Sequence, residues 1–185
     1  LEHFREVADK FSKAGVPLCA YNYSFQDDFS DEEIERGFAI AKAMGLDAIT
    51  ASANQKVVAR VAPAARTHRI TVAMHNHSTI DPNEFATPDD FEKAMKGPGR
   101  DRIAVNLDIG HYTAANFDAV AFLKKHHNRI VTLHIKDRKR DQGALTPFGD
   151  PELAVAPRMR VVARIGVGFD AVDVPALTAK DVPLM

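Results

Sequence analysis

With 185 residues, 45% of them hydrophobic and 26% charged, the chain has the make-up of one ordinary folded domain and lies outside the disordered and membrane-spanning classes. Lys and Arg number 24 against 25 Asp and Glu, so a formal net charge of -1 gives no field to gather polyanions, and neither nucleic acid nor a membrane surface is an expected partner. The single thiol, Cys19, excludes an internal disulfide and a cysteine-built metal knuckle, and a cytoplasmic, reducing setting is expected.

In chain order, a helix over 1–14 is followed by a β-branched run at 16–23 that reads as a strand. With Leu1 in place of Met, the native start is expected upstream. Ser30 and Glu33 then form a capping box, Ile34, Phe38 and Ala41 share one helical face, and Gly45 stops the helix in a left-handed turn. A strand at 46–51 precedes a helix at 54–67 that Pro63 should kink or shorten. Next come a strand at 70–77 and a helix start at Thr87, with Pro88 at its first position and Asp89 and Asp90 against the positive dipole end; Gly97 ends that helix. Strands at 102–108 and 130–136 flank a helix at 118–127. Residues 1–150 therefore read as an α/β chain of about five βα units on a parallel sheet. Pro147, Gly149, Pro151 and Pro157 interrupt the pattern, after which a strand at 160–166 and a weak helix at 172–179 are expected.

Side chains on a strand alternate between faces, so His75 and His77 project together, as do Asn106 with Asp108, and Thr132 with His134 and Lys136. Parallel α/β sheets bind ligands at the carboxyl ends of their strands, and three successive strands here end in residues able to hold a divalent metal. His75, Asp108 and His134 are the candidate ligands. Neutral imidazole and carboxylate suit Mn, Co, Zn or Mg, and a cation fixed on rigid strand ends can polarise a carbonyl and stabilise an enediolate. His111, three residues past Asp108 in an expected turn, is placed to bond a substrate hydroxyl or carry a proton, and Lys136 to steady an oxyanion or a phosphate. His77 and Arg138 complete the expected substrate contacts. A single strand-end His or Asp is more often a satisfied turn residue than a ligand. Four of the 8 histidines nevertheless fall at strand ends or the turns after them, whereas His3, His68, His126 and His127 read as surface or helix-end residues. Glu84 is a further carboxylate near the mouth, although the neighbouring Asp81-Pro82-Asn83 reads first as a turn.

Three segments carry a family resemblance: Met74-His-Asn-His-Ser78, Asn106-Leu-Asp-Ile-Gly-His111 and Thr132-Leu-His-Ile-Lys-Asp-Arg138. Over residues 1–150 the chain resembles the sugar phosphate isomerase/epimerase family with the xylose-isomerase-like TIM barrel. The resemblance implies a partial, truncated TIM-type (β/α) barrel, since a closed one needs roughly 250 residues. It also implies a divalent-metal-dependent enzyme of carbohydrate metabolism that moves a proton next to the carbonyl of a small sugar or polyol. Asp108 and His134 are implied as metal ligands, His111 as a substrate contact and His75 as a further ligand. The chain departs from the family twice. Well-known epimerases place a glutamate where His75 stands, and a second glutamate comes from a last strand that is missing here, so impaired activity is expected.

Residues 151–185, through Arg160-Val-Val-Ala-Arg-Ile-Gly-Val-Gly-Phe-Asp-Ala-Val-Asp173, are similar to a fragment of D-2-hydroxyacid dehydrogenases and are not expected to form an independent domain. Gly166 and Gly168 mimic a dinucleotide fingerprint, but too little chain follows for a Rossmann unit. Two alternatives stand beside the isomerase: a non-catalytic truncated fusion or binding module, whose open barrel edges would favour a homo-oligomer, and an inosose-dehydratase-like lyase. An abasic-site endonuclease is the weakest reading, because that chemistry wants more metal ligands and a basic DNA track.

Overall fold

The computed structural model describes residues 1–97 and 99–146. Five parallel strands pair in sequence order: β1 (Tyr21–Asn22), β2 (Ala48–Ala51), β3 (Thr71–His75), β4 (Ile103–Asp108) and β5 (Ile130–His134). Helix α1 (Glu2–Lys13) precedes them. The crossovers are α2 (Asp31–Ala43), a 3-10 turn (Gln55–Val57) running into α3 (Val58–His68), α4 (Pro88–Met95), and the pair α5 (Ile109–Ala114) and α6 (Ala119–His126). An antiparallel ribbon, β6 (Asp137–Arg138) with β7 (Leu145–Thr146), follows β5. Successive strands lying side by side with helical returns make a partial TIM-type α/β barrel.

The helix starts follow from local chemistry. Ser30 accepts from the Glu33 N–H while Glu33 reaches back to the Ser30 N–H, and Thr87 and Asp90 repeat the exchange at α4, so orphan donors are satisfied reciprocally at both ends. Pro63 does not stop α3. Both Pro63 and Ala59, whose carbonyl loses its bonding partner, lie on the exposed face, where water can serve that carbonyl.

Strand alternation builds two layers. Ile49, Ala51, Val72, Met74, Ile103, Val105 and Leu107 pack under the helices with Phe25, Phe38, Phe85, Phe91 and Phe122. The opposite face carries small or polar groups: Thr50, Ala73, His75, Ala104, Asn106, Asp108, Thr132 and His134. One irregularity decides which β5 residues join them. Val105 pairs with Ile130, but a register shift makes Asn106 pair with Thr132 and Asp108 with His134. Without it, Asp108 would face Leu133 and His134 would fall on the wrong side of the sheet.

Three expectations need correction. The strand expected over 16–23 has only Tyr21 and Asn22 in the ladder, because it is an edge strand with one neighbour and Pro17 has no N–H to donate. β3 and β5 end at His75 and His134, two residues earlier than expected, and β3 stops where the Asn76 side chain turns to bond the β4 backbone. His111 sits on the short helix α5, not in a turn, because the Asp108 carboxylate accepts from the His111 N–H and caps a new helix. The elements expected at 160–166 and 172–179 lie outside the described residues.

Candidate metal centre

β3, β4 and β5 deliver His75, Asp108 and His134 to one point. His75 Nε2 stands 3.1 Å from His134 Nδ1, and each of these nitrogens is 3.5 Å from Asp108 Oδ2. Two devices fix the carboxylate. Asn76, fully buried, donates from Nδ2 to the Asp108 carbonyl at 3.0 Å and accepts the Asp108 N–H at 2.8 Å, clamping the ends of β3 and β4 together. Asp108 Oδ1 is engaged by the His111 N–H at 2.8 Å, which leaves Oδ2 for the cluster.

The charge state suits a cation. Burial works to raise the Asp108 pKa, but hydrogen bonds from His134, His75, Lys136 and the His111 N–H outweigh it and hold the carboxyl well below the usual carboxylate range. Burial pushes His75 down, opposed by Asp108, so its imidazole is neutral at pH 7, as a metal ligand must be. The triangle can be tested for size. A cation bound at about 2.1 Å in tetrahedral geometry holds its ligand atoms roughly 3.4 Å apart. The separations of 3.1, 3.5 and 3.5 Å match, with three donors of the right kind. The residues fit a divalent ion.

Around this triangle the other expected residues take distinct places. Lys136 Nζ lies 2.5 Å from the same Asp108 Oδ2, so it meets that carboxylate directly. Arg138 donates from Nη1 to His111 Nδ1 at 2.9 Å and to Ser78 Oγ at 3.2 Å, and from Nε to the Gly143 carbonyl at 3.0 Å. Because Arg has only donors, His111 Nδ1 must be the acceptor and its proton sits on Nε2, which faces Asp108 Oδ2 at 3.8 Å. Burial first, then Lys136, His75 and Arg138, pushes the His111 pKa down to about 4 against the pull of Asp108. His77 lies one pleat outward from His75, with ring centroids 5.2 Å apart, and bonds Ser52 Oγ and Glu84 Oε2.

Asn106 sets the remaining imidazole. It stands 3.4 Å from His134 Nε2 and accepts from the Thr132 hydroxyl at 2.8 Å. Its Nδ2 is the atom that faces His134 Nε2; with the amide turned over, the Thr132 hydroxyl would accept from Nδ2 and Oδ1 would accept the Nε2–H bond, leaving His134 Nδ1 as the lone pair a cation needs. Sequence reasoning missed Ser52, Ser78 and Gln142. Ser52 and Ser78 also follow strand ends, the signal that marked the histidines, but hydroxyls are too common there to stand out.

The family described as xylose isomerase-like TIM barrel matches residues 1–177. The chain belongs to that family. The match runs past residue 150, and the likeness of the tail to a dehydrogenase fragment falls outside the described residues. Similar solved structures include an uncharacterised protein from Parabacteroides distasonis, 25% identical with a TM-score of 0.51 over 70% of this chain and 50% of that one. A sugar phosphate isomerase/epimerase from the same organism is 19% identical, TM-score 0.54, over 73% and 57% of the two chains. An L-ribulose 3-epimerase is 15% identical, TM-score 0.61, over 98% and 65%. At such identities the latter two speak for the fold. The chain spans 50% and 57% of the length of the first two. No curated protein sequence matches. Among the described residues no helix is long and apolar enough to cross a membrane.

Proposed function

We propose that this chain carries the metal-binding part of a sugar or sugar phosphate isomerase/epimerase site, which moves a proton next to a carbonyl. The observation that carries the reading is the triangle of His75, Asp108 and His134, of coordination-shell size and at the carboxyl ends of three neighbouring strands. When bound there, a divalent ion would polarise the substrate carbonyl. His75 and His134 would hold it through ring nitrogens, and Asp108 would supply the negative charge. His111, with its proton fixed on Nε2, donates a hydrogen bond to a substrate oxygen. Lys136 steadies developing negative charge near Asp108, and His77 with Arg138 lines the approach. Among the described residues the cluster consists of His75, Asp108 and His134, with no glutamate beside them.

The test is proton exchange. Incubated with Mn2+ in D2O, the chain should exchange the hydrogen next to the carbonyl of at least one ketose or ketose phosphate, read by NMR, and His134→Ala should lose that exchange. No exchange across the panel with Mn, Co, Mg or Zn would contradict the reading.

A further inference from the structure

Beside the metal triangle stands a second chemical constellation. Ser52 Oγ lies 2.8 Å from His77 Nε2, and Glu84 Oε2 lies 2.7 Å from His77 Nδ1. The contacts have a direction. Glu84 as a carboxylate can only accept, so Nδ1 carries the proton in a neutral ring, Nε2 is a lone pair, and the Ser52 hydroxyl donates to it. A hydroxyl, a base and a carboxylate that orients the base, each within about 2.6–3.2 Å of the next, is the arrangement that activates a serine nucleophile.

The backbone holds all three in place. Ser52 follows β2, and its N–H donates to Ser24 Oγ at 3.3 Å. His77 follows β3, and its N–H donates to the Phe85 carbonyl at 2.8 Å. The Glu84 N–H donates to the Asp81 carbonyl at 3.1 Å, while Gln55 Nε2 donates to the Glu84 carbonyl at 2.7 Å. The loop over 78–86 is thus folded back on the strand ends, and the group remains reachable, with the side chains of His77 and Glu84 40% and 29% exposed.

We infer that Ser52, His77 and Glu84 form a second reaction centre in which Ser52 is an acyl-accepting nucleophile for small esters. Ser52 Oγ bonds to the ester carbonyl carbon as its proton passes to His77 Nε2. The ester C–O bond breaks, and the leaving alkoxide takes that proton. Water then attacks the acyl-serine, gives a proton to His77 Nε2, and the departing Ser52 oxygen recovers it, releasing the acid. Glu84 stays ionised and keeps the ring in the productive tautomer. The inference goes beyond the isomerase reading and does not need it.

A fluorophosphonate, which reacts with activated serines, tests this on the 185-residue chain. Intact mass and peptide mapping should find one phosphonyl group, on Ser52. Ser52→Ala should take none, and Glu84→Gln and His77→Gln should react at least about tenfold more slowly, the lower end of what a positioned base contributes. Thermal melts establish that each variant is folded; Glu84→Gln, partly exposed and isosteric, keeps the test open where His77→Gln unfolds. Absence of an adduct on Ser52, or wild-type reaction rates in Glu84→Gln, would overturn the proposal.

Discussion

Asp108 divides its two oxygens between building and chemistry. Oδ1 caps α5 through the His111 N–H, and Oδ2 meets His75, His134 and Lys136. Its backbone is pinned by Asn76, which is buried and bonds through both its amide nitrogen and its oxygen. Asn76→Ala leaves the Asp108 N–H and carbonyl without these partners in a dry environment, so urea unfolding should show a loss of about 2–4 kcal/mol. A change below about 0.5 kcal/mol, the range of an ordinary surface substitution, would mean the clamp is not a structural tie. Lys136 presents a positive charge to the oxygen a metal would need. Lys136→Met removes that competitor, and Mn2+ titration calorimetry should find affinity roughly tenfold higher, about 1.4 kcal/mol. Unchanged or weaker affinity would show that lysine and metal do not share Oδ2.

At the scale of elements, the strands that carry the site were legible because their alternation is strong. Period-two counting gave the face of each strand, while the rule that parallel sheets bind ligands at strand carboxyl ends, with the family resemblance, grouped His75, Asp108 and His134. The structure brings them within contact. Two features were not legible. The register shift between β4 and β5 is a pairing property, invisible in either strand, yet it is what turns His134 toward Asp108. Helix α5 was hidden because Asp108 looked like the end of a strand and serves also as a cap. Gly110 shows how tightly α5 docks: a Cβ there would lie 2.7 Å from Lys136 Cβ and 3.0 Å from the Lys136 carbonyl oxygen. Gly110→Ala must therefore displace α5 or the residues after β5. It should lower the melting temperature and weaken Mn2+ binding together. Wild-type values for both would refute this packing.

The whole molecule presents two sheet edges, β1 and β5, with one neighbour each among the described strands, and Val131 on β5 is 40% exposed. Where such edges stay open they invite self-association, and light scattering would then show a mass above that of one chain and rising with concentration. A monomer at every concentration would count against it. Acid should also destabilise the fold in a defined window. His75 and His111 are less basic folded than their ordinary value of 6.5, His111 down to about 4, so across that interval the unfolded chain binds more protons and stability falls as pH drops. Asp108, depressed below 3.8, contributes stability that is intact above that value and is lost only as pH falls further. Melting temperatures in chelator should thus decline between pH 6.5 and about 4; a flat profile would contradict the burial assigned to these rings.

The most direct measurement is metal content. Wild type, Asp108→Ala and His134→Ala, each equilibrated with Mn2+ or Zn2+ and freed of excess, should differ sharply: about one ion per chain in the wild type and less than about a tenth of that in either variant, as loss of one of three ligands dictates. Equal metal in all three proteins would contradict the account.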